Sequence, residues 1–269
     1  MNVRMSVLKI NNPFNRRLFI LLVLLGTVGI LALIPFELAM IDQTEPSSEA
    51  GELEPRVIVG VNTLSQIFIL VVLVFFGERM LKRTGLGAPY LNAWIHHQEV
   101  PSFSKRWIYL AIGISFIGSL ILMLLDAFIF LPNIHLANDL TSPMVWWHGL
   151  LAMFYGGITE ELMVRFFGMT LIVWLLAVIT RKQTGDLPKA FYMIGIVGAA
   201  LLFGLGHLPA TLQLLGELTP LIITRALVLN GLLGLWFGYL FYRKGLEYAI
   251  IAHMSADVFI HVIFTPLFY

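Results

Sequence analysis

Seven apolar runs dominate the chain, at residues 18–36, 57–76, 107–131, 144–180, 190–208, 221–242 and 246–268. Each approaches or exceeds the roughly 20 residues that cross a bilayer as helix. Outer-membrane barrel strands alternate in segments of about 10 residues, so continuous runs of this length exclude a barrel. With 58% hydrophobic and only 12% charged residues, the chain carries about half the roughly 25% charge of soluble domains. The expected fold is all-α, a polytopic helical membrane bundle of about seven transmembrane helices. There is no cysteine, hence no disulfide, thiolate metal site or cysteine nucleophile. A net charge of +1 without a basic block gives no reason to expect nucleic acid as a partner.

Charge asymmetry sets the orientation. Fourteen of the 17 Lys and Arg residues fall in the N-terminal arm, after the second run, after the fourth run or after the sixth. The opposite loops hold only Arg56, beside Glu37, Asp42, Glu45, Glu49, Glu52 and Glu54. The positive-inside rule therefore puts the N-terminus in the cytoplasm and the C-terminus outside, in a multi-pass protein of the cell membrane. The first run follows Arg16 and Arg17, exceeds a signal-peptide core and lacks a small-x-small cleavage site, so it reads as a retained anchor. Short connections and no detectable inverted repeat imply a single membrane domain over 1–269. The fourth run has 37 residues, about 55 Å as one helix against a roughly 30 Å hydrocarbon core. It must tilt and protrude, or break, and Gly156-Gly157 is the expected break.

Ionisable groups inside a bilayer are costly and usually mark function. Glu160, Glu161, Arg165, His207, Arg225, His253, Asp257 and His261 all lie within runs, with Asp126 and His148 nearer run ends. Glu161 and Arg165 stand at i,i+4 with the acid first, the better order for a helical ion pair. Glu160 lies about 100° round the helix, free to be the reactive carboxylate. His207 precedes Pro209 near the outer end of its helix, while His253 and Asp257 share a face that His261 continues. The glycines Gly204, Gly206, Gly231, Gly234 and Gly238 would let these helices approach closely.

Glu160-Glu161-x-x-x-Arg165, Phe203-x-x-x-His207 and His253-x-x-x-Asp257, in that order, resemble the CAAX protease and bacteriocin-processing family of intramembrane proteases, the Rce1-like type II CAAX prenyl endopeptidases. The resemblance covers residues 144–264 as a catalytic core and leaves 1–143 as three additional N-terminal spans. It implies a glutamate-dependent endopeptidase in which Glu160 and His207 activate a water. Glu161 and Arg165 would organise the site, and His253 with residue 257 would stabilise the oxyanion. Well-studied CAAX-processing members carry asparagine where this chain has Asp257. An ionised aspartate cannot donate a hydrogen bond, so Asp257 is either protonated or orients and charges His253. Glu160, His207 and His253 would also make a two-histidine, one-carboxylate zinc site, although no His-Glu-x-x-His sequence is present. Histidine and carboxylate suffice for general base catalysis, so the metal-free mechanism is the expectation. The expected partners are the lipid bilayer and a peptide or protein substrate with a membrane-associated segment.

Other classes compete. A proton-coupled transporter would also bury carboxylates and histidines, but the polar groups cluster on three late spans without a repeat. A non-catalytic immunity or scaffold protein of the same fold would retain the same residues. A serine protease centred on Ser115 is a weaker reading, since a serine bonded within its own helix explains that residue. Depth along the helices points outward: His207 lies 18 residues past cytoplasmic Lys189, about 27 Å, and Glu160 lies 21 residues before Arg181. His253, only 9 residues past Lys244, sits nearer mid-depth on this count.

Overall fold

The computed structural model describes residues 14–42, 54–134 and 146–268, and among them there is helix and no strand. The helices are α1 (Arg16–Asp42), α2 (Pro55–Thr84), a short α3 (Pro89–Ile95), α4 (Lys105–Asn133), α5 (Trp146–Ile179), α6 (Lys189–Gly206), a short α7 (Leu208–Leu215), α8 (Pro220–Lys244) and α9 (Leu246–Phe268). Seven helical segments are long and apolar enough to cross a membrane, and they coincide with the seven apolar runs. The chain is an all-α bundle and an integral membrane protein.

Local chemistry fixes the ends. Asn15 caps α1, its Oδ1 accepting from Leu18 N at 3.2 Å, and Thr219 caps α8, its Oγ1 accepting from Ile222 N at 3.3 Å. Prolines occupy the first turn of α2, α3, α7 and α8, where a missing N–H costs nothing. Gly245, at φ 101°, turns α8 directly into α9.

Packing brings the late helices together and wraps the early ones round them. Leu22 of α1, Leu70 of α2, Leu162 and Phe166 of α5, Phe237 of α8 and Ala252 of α9 share one buried core. On α1, Gly26 O accepts from Thr159 Oγ1 at 2.8 Å, and a side chain at Gly29 would collide with that same threonine. On α4, Ser115 Oγ donates to Ala252 O at 2.8 Å. Ser115 is thus tied to α9 rather than to its own helix, because the close α4–α9 approach brings the Ala252 carbonyl within reach. Asp126 of α4 takes both forks of Arg225 on α8 at 2.6 Å, a second intramembrane ion pair that joins two spans.

The fourth run neither breaks at Gly156-Gly157 nor continues as plain α-helix. From Tyr155 to Met169 it widens to π-helical i→i+5 bonding and then resumes at Thr170. Thr170 Oγ1 donates to the carbonyl of Arg165 five residues back, and Thr265 does the same to Ile260 where a π segment of α9 ends. The two glycines serve contact rather than bending. A Cβ at Gly156 would meet the Asp257 carboxylate, and one at Gly157 would meet the Met254 side chain and, at 3.0 Å, its backbone nitrogen. Gly157→Ala should therefore push α9 from α5 and cost about 1–3 kcal/mol, an overpacking penalty visible as a lower midpoint of thermal unfolding in detergent. An unchanged midpoint would mean that the two helices do not meet this closely.

Candidate active site

Three helices deliver the site. The π-helical stretch of α5 carries Glu160, Glu161 and Arg165; His207 terminates α6; His253 and Asp257 lie one turn apart on α9. π-helical turns recur at functional sites, where the wider register re-aims side chains. Here the stretch sends adjacent glutamates to different surroundings.

Glu161 is the buried half. It and Arg165 are fully inaccessible, with Nη1 of Arg165 2.9 Å from Glu161 Oε1, though off the line that a hydrogen bond needs. Arg165 Nη2 donates to Gly234 O at 3.2 Å, and the guanidinium lies between the rings of Phe203 and Phe237, 4.7 and 5.3 Å from their centroids. Such a sandwich stabilises a cation that water cannot reach. The same Glu161 oxygen lies 2.8 Å from His253 Nδ1, so His253 donates there and presents Nε2 to the pocket. Phe237 stacks on the His253 ring at 4.5 Å and fixes its plane.

Glu160 is the open half. Its side chain is 20% exposed and that of His207 33%, against 6% for His253. Glu160 Oε1 stands 4.0 Å from His207 Nε2, and Oε2 stands 3.8 Å from His253 Nε2. Asp257 Oδ1 is 3.7 Å from that same nitrogen. All three gaps exceed a direct hydrogen bond and suit a bridging water. His207 Nδ1 lies 2.8 Å from Phe203 O; a carbonyl only accepts, so Nδ1 carries the proton and Nε2 offers a lone pair. Among the described residues no hydrogen bond or ion pair ties His261 to this set, and its Cβ and backbone pack on Gly149 near the start of α5.

Residues 142–259 match the sequence model of the family described as Type II CAAX prenyl endopeptidase Rce1-like. These residues form an Rce1-like domain. No curated protein and no solved structure matches the chain. The family implies protease activity in the membrane, on a peptide substrate associated with it.

All six residues expected from the sequence lie within this Rce1-like domain, and the structure brings them into one cluster. A zinc ion would need two histidine nitrogens and a carboxylate oxygen about 2.0–2.2 Å from one point. Among the described residues no three His, Asp or Glu side chains are placed to share an ion. Glu160 meets the two histidines through different oxygens, so the trio does not fit a metal as it stands. What sequence reasoning missed is the support of the Rce1-like domain: the Phe203–Phe237 sandwich, the Gly234 carbonyl and the close contacts at Gly156 and Gly157. An aromatic four residues before His207 was visible as a pattern, but its cation-binding role depends on where Arg165 arrives.

Proposed function

We propose that the protein is an intramembrane endopeptidase that hydrolyses membrane-associated peptides with a water activated by Glu160 and His207. The observation that carries this reading is the 4.0 Å gap between Glu160 Oε1 and His207 Nε2, in the exposed part of a cluster that is otherwise buried. A water in the gap donates one hydrogen to each. Glu160 takes a proton as the water oxygen attacks the scissile carbonyl, and the carbonyl oxygen becomes an oxyanion. His253, charged and aimed by Glu161 and Asp257, donates Nε2–H toward that oxygen. Collapse breaks the C–N bond, and the proton held by Glu160 passes to the leaving amine, giving a carboxylic acid and an amine. Asp257 acts through His253 in this scheme rather than as a donor, consistent with an aspartate where CAAX-processing members carry asparagine. Arg165 and Glu161 hold the frame. Neither the clustering on three helices nor the graded burial favours a proton-coupled transporter.

The purified protein in detergent, offered a panel of membrane-associated peptides, should hydrolyse members of the panel at a rate unaffected by a divalent-cation chelator. A folded parent that cleaves none of them would count against the peptidase reading; chelator-sensitive hydrolysis that zinc restores would count against the metal-free chemistry.

A further inference from the structure

We infer that the site is sealed on the cytoplasmic side and takes its substrate from the extracytoplasmic side, so that its substrate class is a peptide segment emerging at the outer leaflet rather than a tail presented from the cytoplasm. The inference rests on the peptidase reading for the word substrate and on charge bias for the two sides; the closure itself is structural.

The seal is residues 85–104, between α2 and α4. This segment lies across the start of α9. Leu246 N donates to Gly87 O at 3.0 Å, and Tyr90 N and Leu91 N, at the open first turn of α3, both donate to Glu247 Oε1 at 2.9 Å. Ser104 N donates to Tyr248 Oη at 2.8 Å, and Tyr90 stacks on Phe103 while both rings meet Tyr248 at an angle. The other flank is tied to α1, where Asn15 Nδ2 donates to Asn92 Oδ1 at 2.6 Å and Arg17 donates to Ile95 O. Every anchor is at a helix end that the positive-inside rule assigns to the cytoplasm. Leu246, Tyr248, Ala249 and Ala252 are completely buried, so one face of α9 is packed over from this end to His253.

Among the described residues the outer end of α6 is uncovered: His207 ends α6, Gly206 beside it is exposed, and no described atom lies within 4 Å of a Cβ built at that glycine. Residue counting places His253 nearer mid-depth, and the seal sets it farther from the cytoplasm still, because α9 begins above residues 85–104 and not at the membrane surface. Six residues from Glu247 to His253 are about 9 Å of helix, with the sealing segment still below them.

The absence of cysteine makes the test direct. In intact cells, a membrane-impermeant maleimide added outside should label Gly206→Cys and leave Gln98→Cys unlabelled; in inverted vesicles the pattern should reverse. Labelling of Gly206→Cys from the cytoplasmic side, or from neither side, overturns the inference. Two single-span reporters then present a cleavable segment on one side each. Cleavage of the outer reporter alone supports the assignment, and cleavage of the inner one overturns it. If Gly206→Cys labels from outside but neither reporter is cut, the access path stands and the peptidase reading falls.

Discussion

Glu160→Gln should leave the protein folded and lower peptide hydrolysis by about 10²–10⁴-fold or more, the range of a lost general base. The amide keeps the shape of the carboxyl and still bridges a water, yet it cannot take the water's proton. Because Glu160 is 20% exposed and at arm's length from both histidines, the change leaves no buried charge stranded. The unfolding midpoint should therefore stay near that of the parent while turnover disappears. A loss of fold instead would place Glu160 in the frame.

Arg165→Ala should do the reverse and damage the fold first. The guanidinium is wholly buried, so its removal strands Glu161 with His253 as its remaining ion partner and empties the slot between Phe203 and Phe237. Breaking a buried pair by removing one partner costs about 3–5 kcal/mol. Expression and thermal stability in detergent should both drop. A double-mutant cycle of Arg165→Ala with Glu161→Gln should show that the two substitutions are coupled; additive losses would mean that the pair does not hold the frame.

The membrane class was legible from local signals, and the six candidate residues from two helical spacings together with the resemblance carried by the three motifs in order. Span length and charge bias are properties of continuous sequence, and Glu161 with Arg165, or His253 with Asp257, face together through helical spacing alone. Contacts between distant helices were not legible. Gly156-Gly157 reads as a hinge in one helix, and only the approach of Asp257 and Met254 turns it into a contact. Ser115 similarly looks self-bonded until Ala252 arrives, and Asp126 gives no sign that Arg225, 99 residues on, will meet it. Glu247 was passed over altogether. Its partners are two backbone N–H groups of α3, a helix too short to stand out as a span. The widened register of residues 155–169 also has no sequence signature of its own, since its Thr170 exit is recognisable only from the i−5 bond.

In the proposed mechanism Glu160 and His207 act as one unit on one water. The most direct measurement is the hydrolysis rate of Glu160→Gln, His207→Ala and the double variant on the same peptide. Groups that work together are strongly non-additive, so the double variant should be about as slow as either single one. Two independent losses that multiply in the double variant would contradict the pairing.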